Sequence, residues 1–503
     1  MMKRREGGPS GIRCSGMVWW VVAVALLLLQ GCTTRVEGGI FRYDEVTLRT
    51  GVIRFEREAM WSLEDSPMGS DSPYATFNMT FTKANAGVVG GHTEFLFFNA
   101  DRLEDVGLLW HGRRYYCCTA TLRDGGHCRH VGRLLLPTHT NNTIDFWYTY
   151  LPFGQSRTIT YNQTISIAES DVYYAYFVNC GQSNAGQLLM SGDIVWKNPY
   201  GYLPGDDLGF LPFYVLLTAL YGVLLLLWLL PTIRYRQKLL PLQHTLTGVL
   251  VLGQLESFFL LLNYIYYNSN GTLSLGLLVT GVTLNTLKRT ISRMLLLAVC
   301  LGLGTLKKRL PLNMLIGMAI YAVAYFIFSE ISEIIDDLQE KTLTPISPYW
   351  MAVSLIPVFI LDALIFLWLA LALMMTISNL TRAGNQETKL KMYKSLGQLL
   401  IALFFLSFFM MLGEGFAVGL HADGWWKIWW MWDSYWQFLY WVTVAAVAWI
   451  WRPNPNNERF AYSELSVQET SPDDDETAFE MENMQTSSSD DAFPPNSQQQ
   501  GVY

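Results

Sequence analysis

The sequence predicts a multi-pass membrane protein: a lumenal β-sandwich, a seven-helix transmembrane bundle and a disordered acidic cytosolic tail. Three observations predict it. Hydrophobic residues make up 51% of the 503 positions and charged ones only 15%, too apolar for an ordinary soluble chain. Seven long apolar runs crowd the carboxyl-terminal half, at about 209–230, 242–266, 273–305, 310–330, 349–376, 396–419 and 435–451. Short alternating runs between turn residues fill the stretch before them.

Residues 1–33 read as a secretory signal peptide. Lys3, Arg4, Arg5 and Arg13 precede an apolar core over 17–29 that is short for a spanning helix, and cleavage fits near 31–33; an uncleaved anchor is the alternative. Residues 34–200 then form the lumenal sandwich. Its strands are expected at 76–81, 93–98, 106–110, 144–151, 158–167, 172–178 and 187–196. Sequons place candidate glycans on Asn78, Asn141 and Asn162 here, and on Asn270 beyond the second span. Cys117, Cys118, Cys128 and Cys180 suit two disulfides in an oxidising lumen. A bond between the adjacent Cys117 and Cys118 is strained, so both should pair onward, in either order, to Cys128 and Cys180. A metal site at His127-Cys128-Arg129-His130 is the competing reading, but the spacing matches no standard zinc module.

A rigid turn, Asn198-Pro-Tyr-Gly-Tyr-Leu-Pro-Gly205, leads into the linker 201–208 and the bundle 209–452. Loop charges orient it. Arg234, Arg236 and Lys238, then Lys307, Lys308 and Arg309, then Arg382, Lys389, Lys391 and Lys394 fall in loops one, three and five, which the positive-inside rule puts in the cytosol. Trp425, Trp426, Trp429, Trp430 and Trp432 should form an aromatic belt at the lumenal interface.

Span three carries the chemistry. It is divided by Lys288-Arg-Thr-Ile-Ser-Arg293, and neither apolar half alone reaches the roughly 20 residues a crossing needs. A charge in lipid costs several kcal/mol, so an intramembrane basic cluster implies partners or function. On a helix Lys288, Arg289 and Arg293 share an arc of about 140°. Glu256 in span two, Asp362 in span five and Glu414 in span six supply three acids for three bases, and Glu330 and Glu333 are placed to line a vestibule. The cluster is thus expected as the polar centre of a bundle cavity: an ion site, a lipid site or structural pairing.

Residues 453–503 hold eleven acids against one base, Arg459, and are read as a disordered tail. Tyr462-Ser-Glu-Leu465 fits a tyrosine-based sorting motif, followed by the acidic Ser471-Pro-Asp-Asp-Asp-Glu476. No metal-binding helix motif, nucleophile elbow or phosphate loop appears, so the chain reads as a non-enzyme with no cofactor and no catalytic residues. No basic patch with interleaved aromatics suggests nucleic acid. Helix three ends in Leu306-Lys307-Lys308, which argues against a G-protein-coupled receptor.

Six ordered motifs carry a resemblance: Asn198-Pro-Tyr-Gly-Tyr-Leu-Pro-Gly205, Leu252-Gly-Gln-Leu-Glu256, Lys288-Arg-Thr-Ile-Ser-Arg293, Asp362-Ala-Leu-Ile-Phe-Leu-Trp368, Lys391-Met-Tyr393 and the run from Trp451 to Glu464. Together they resemble the GOLD-domain seven-transmembrane (GOST) family, also called lung seven-transmembrane receptors, in particular its transmembrane protein 87 branch and the plant relatives. The resemblance implies a Golgi and endosomal protein in endosome-to-Golgi retrograde transport. It also implies a lumenal GOLD-like domain that handles a cargo protein, and clathrin-adaptor or retromer-type machinery acting on the tail. Its alternative is a cation channel, or a protein of lipid binding and ion balance, that uses a lipid-accessible cavity in contact with membrane lipids. One departure is visible: Ser257 follows Glu256 where animal members tend to carry Lys.

Overall fold

The computed structural model describes residues 35–37, 39–85, 90–136, 146–181, 187–303, 310–341, 348–383, 387–420 and 424–453. The signal segment, the sequon at Asn141, the tail and Tyr462 and Leu465 lie outside the described residues.

Two antiparallel four-stranded sheets form the amino-terminal sandwich. One has the order β3 (Ile53–Met60), β10 (Asp171–Val178), β5 (His92–Asn99), β8 (Phe146–Pro152). The other runs β2 (Ile40–Leu48), β11 (Leu188–Lys197), β4 (Tyr74–Lys83), β9 (Thr158–Ser166). Alternation drives the packing: Phe77, Met79 and Phe81 of β4 face Phe95, Phe97 and Phe177 across the sheet gap, and Trp196 fills it from β11. All seven predicted runs contain a strand, although 106–110 shrinks to β6 (Leu108–Trp110), which pairs with β7 (Arg113–Tyr115).

Strand β5 is buried on both faces, because a segment from Leu103 to Leu136 covers the outer side of its sheet. Both disulfides hold that cover in place. Cys117 joins Cys180 next to the sheet and Cys118 joins Cys128 within the cover, which settles the connectivity. The fully buried Glu94 accepts hydrogen bonds from the Leu134 amide (2.6 Å) and the Tyr148 hydroxyl (3.0 Å). Burial and this carboxylate push the Tyr148 phenol up to about 12. Sequon residues Asn78 and Asn162 are both exposed, and they sit directly opposite each other on β4 and β9.

Seven long helices follow: α1 (Phe210–Arg234), α2 (Pro241–Asn270), α3 (Leu275–Cys300), α4 (Leu312–Lys341), α5 (Pro348–Ala383), α6 (Glu387–Leu420) and α7 (Trp430–Ile450). Helices α1, α2, α4, α5 and α6 are long and apolar enough to cross a membrane by length and composition alone. The basic cluster lowers the hydropathy of α3, and tryptophan and tyrosine lower that of α7. The predicted spans find every helix but misplace ends. Residues Thr272–Ser274 form β12, paired with β1 (Arg35–Glu37), so span three begins two residues later than expected. Helix α6 starts at Glu387, so Lys389, Lys391 and Lys394 are helical residues and not loop residues.

The sandwich is seated on the bundle through the Pro-Gly turn. Asn198 Oδ1 accepts from the Trp61 amide (2.8 Å) while Asn198 Nδ2 donates to the Leu203 carbonyl (2.9 Å). Asn268 near the end of α2 donates to the Tyr200 carbonyl (2.9 Å), and its own carbonyl accepts from the Tyr202 amide (3.0 Å). Gly201, at φ 146°, has no room for a side chain: a Cβ there would lie 2.3 Å from Asn268 Oδ1. The tryptophan cluster is divided between roles. Trp426 is buried edge-on against Trp61 of the sandwich (5.1 Å between centroids), and Trp430 packs over Gly209, while Trp429 stays exposed. The expected aromatic belt is therefore partly a docking joint, because the sandwich covers that end of α7.

A charged centre on helix three as candidate functional site

Helix α3 spans roughly 39 Å at 1.5 Å per residue, and the basic cluster begins about halfway along it. The charges therefore lie deep in the bundle, and each finds an acid on a different helix. Lys288 Nζ donates to Glu256 Oε2 of α2, and both side chains are 1% exposed. Arg289 pairs with Glu333 of α4 and reaches Ser329 Oγ at 3.3 Å. Arg293 lies 2.7 Å from Asp362 of α5 and stacks its guanidinium over the Tyr325 ring at 4.0 Å. The Arg293–Asp362 contact is a half-buried ion pair.

Aromatic rings complete the Lys288 site. Its ammonium sits 4.3 Å from the Tyr440 ring centre of α7 and 6.0 Å from that of Tyr221 of α1. Ser292 donates its one hydroxyl proton to the Lys288 carbonyl (2.8 Å), so its contact with Tyr440 requires the phenol to donate. Gly253 permits this crowding: a Cβ there would come within 2.4 Å of the Tyr221 ring. Ser257, at the departure from the family pattern, is fully buried and donates back to the Gln254 carbonyl (3.2 Å).

Two sequence expectations need correction. Glu414 is half-exposed on α6 and has no ion pair among the described residues. Helix α6 packs chiefly on α5 and α7, so matched depth alone did not bring it to α3. The third acid is Glu333, which had been expected to line a vestibule. Its neighbour Glu330 accepts from Thr283 of α3 at 2.7 Å, so both carboxylates are engaged by α3. Helix α4 continues to Lys341, well past its apolar run, and that extra length carries Glu333 to Arg289.

On α1, α2 and α3 several buried polar atoms have no hydrogen-bond partner among the described residues: Tyr221 Oη, Gln254 Oε1, Glu256 Oε1, Asn263 Oδ1 and Asn285 Oδ1. Such atoms cost free energy unless water or a solute meets them. No group of three or more metal-ligating side chains occurs among the described residues. Chemically the centre is three charge-balanced pairs that brace α3 against α2, α4 and α5.

Comparison with known proteins agrees with this architecture. The family model for the GOST seven-transmembrane domain matches residues 209–458. Transmembrane protein 87A of Xenopus tropicalis is 28% identical over 281 residues, 55% of this chain and 50% of that protein. Mouse transmembrane protein 87B is 26% identical over 285 residues, 54% of this chain and 50% of that protein, so the match spans about half the length of these relatives. Membrane protein PTM1 of Saccharomyces cerevisiae is 25% identical over 429 residues, 80% of this chain and 79% of that protein. Residues 209–458 of this chain are thus a GOST seven-transmembrane domain.

Proposed function

We propose that this chain is a non-enzymatic protein of Golgi and endosomal membranes, acting in endosome-to-Golgi retrograde transport. On this reading the sandwich lies in the lumen and handles cargo, and the tail engages sorting machinery. The observation that carries it is the seating of the sandwich. Trp61, Asn198, Tyr202 and Trp426 bind it to α2 and to the turn before α7, so a partner held by the sandwich is coupled directly to the bundle. The three ion pairs on α3 add to this picture, since they make the bundle a braced support for that domain. The test replaces Tyr462 and Leu465 by alanine together and follows the protein in cells. Movement from Golgi to the cell surface is expected; an unchanged steady-state location overturns the reading.

One observation favours a second reading, a cation or lipid pathway through the bundle. Tyr221, Gln254, Glu256, Asn263 and Asn285, on the three helices that meet at the buried pair, each hold a buried polar atom with no partner among the described residues. Purified protein in planar bilayers would then conduct, and Glu256→Gln would change its selectivity; silent bilayers with folded protein reject conduction.

A further inference from the structure

A cavity of about 260 Å³ lies where the sandwich meets the bundle, lined by Trp61, Pro67, Met68, Leu208, Lys427 and Trp430 among others. Its position fixes its depth. Gly209, also in the lining, precedes the first residue of α1, and Trp430 is the first residue of α7, so the cavity opens where two helices enter the membrane. The exposed side chains of Leu63, Met68, Ile428 and Trp429 put apolar surface around this level.

The chemistry of the wall is one-sided. Among the described residues its lining is apolar and aromatic except for Lys427, and no acid is among them. The Lys427 ammonium is held 5.0 Å from the Trp61 ring centre and 5.5 Å from that of Trp426, and it has no ion pair among the described residues. Asp65 is the acid that feels its field, and that carboxylate is already bonded by Ser170 and Ser62 and is held below its ordinary range. A wall of this kind suits a ligand with an apolar body and one negative group. The volume is many times the roughly 10–15 Å³ that a single water needs, room for a phosphate and its glycerol.

We propose that this cavity binds the headgroup region of an anionic phospholipid from the adjacent leaflet, with Lys427 meeting the phosphate and the indoles meeting the glycerol and upper acyl carbons. The site is separate from the charged centre on α3 and does not depend on either functional reading. Charge complementarity selects the lipid: an anionic headgroup meets the Lys427 counter-charge, and no carboxylate is among the described lining residues.

The test is native mass spectrometry of the full chain in detergent, titrated with phosphatidylserine or with phosphatidylcholine of the same acyl chains. Lys427→Gln should weaken phosphatidylserine binding about tenfold, the loss of one charge-assisted contact, with Lys427→Arg restoring it. Met68→Trp, which fills the cavity and keeps the charge, should weaken it as well. A photoactivatable phosphatidylserine should label the Pro67–Met68 segment. Undiminished binding in both Lys427→Gln and Met68→Trp, labelling only elsewhere, equal retention of phosphatidylcholine, or equal displacement by inorganic phosphate would each overturn the proposal.

Discussion

Removing one member of the Glu256–Lys288 pair should destabilise the bundle more than removing both. Each side chain is 1% exposed, and Lys288 is among the largest fully buried side chains of the protein. Glu256→Gln leaves an ammonium between two phenol rings with no counter-charge, and Lys288→Met leaves a carboxylate whose other oxygen is already unpartnered. Breaking a buried pair from one side typically costs about 3–5 kcal/mol. At roughly 2–4 °C per kcal/mol for a unit of this size, each single variant should melt on the order of 6–20 °C lower. The double variant Glu256→Gln/Lys288→Met removes both charges, and paired replacement by groups of similar volume is often neutral. It should therefore recover most of that loss. The assay is a thermal melt of purified protein in one detergent, with all four members of the cycle measured together. If either single variant melts with the wild type, the pair is not a buried ion pair. If the double variant melts below both singles, the unpaired-charge argument fails.

Two further outcomes follow from the sandwich. Burial, then the carboxylates of Asp206 and Asp207, hold the Glu58 carboxyl well above its ordinary range; Arg57 opposes them and Glu56 adds to them. The folded state thus keeps this proton to higher pH than the unfolded state does. Its stabilising contribution is complete below the ordinary glutamate value and is lost as pH rises through the raised one. Melts of the full chain between about pH 5 and about pH 8 should show stability falling towards neutral pH. Glu58→Gln should flatten that slope and raise the neutral value, and an unchanged slope refutes the assignment. For the disulfides, the sequence separations of 63 for Cys117–Cys180 and 10 for Cys118–Cys128 order their effects. Loop-closure entropy gives about 4 kcal/mol for the long loop and about 3 kcal/mol for the short one. The Cys117→Ser/Cys180→Ser chain should therefore melt below the Cys118→Ser/Cys128→Ser chain, and the reverse order would refute the entropic account.

The order of modules was legible because it rests on periodicity and length, which a chain displays locally. What escaped sequence reasoning did so for identifiable reasons. Strand β2 has Phe41 and Tyr43 facing the core, then loses the alternation before Leu48. The cause is a bulge: Glu45 sits at φ 49° and the register with β11 shifts between Met190 and Gly192. Strand β3 hides behind acids, since Glu56 and Glu58 are inward and buried, Glu56 receiving the Tyr43 hydroxyl. At the charged centre, depth along a span pointed correctly to Glu256 and Asp362. It failed at Glu414 because depth says nothing about which helices are neighbours. The missing signal for Glu333 was present in part: Glu330 and Glu333 are one helical turn apart, which places both on the same face of α4.

The three basic residues also account for the position of α3 among the helices. An arc of about 140° on one helix is too wide to face a single neighbour. Lys288 turns to α2, with α1 and α7 supplying its rings, while Arg289 turns to α4 and Arg293 to α5. A helix whose charges are matched on so many sides cannot present them to lipid, so α3 must be interior whatever the bundle transports or holds. Helix α7 then links the two polar regions. Its amino-terminal end holds Trp430 against Gly209 at the sandwich joint, and Tyr440 lies about 15 Å further along the same helix against Lys288. Trp430 beside the joint and Tyr440 at the charged centre thus stand on one helix, and a variant at either end should be assayed at both.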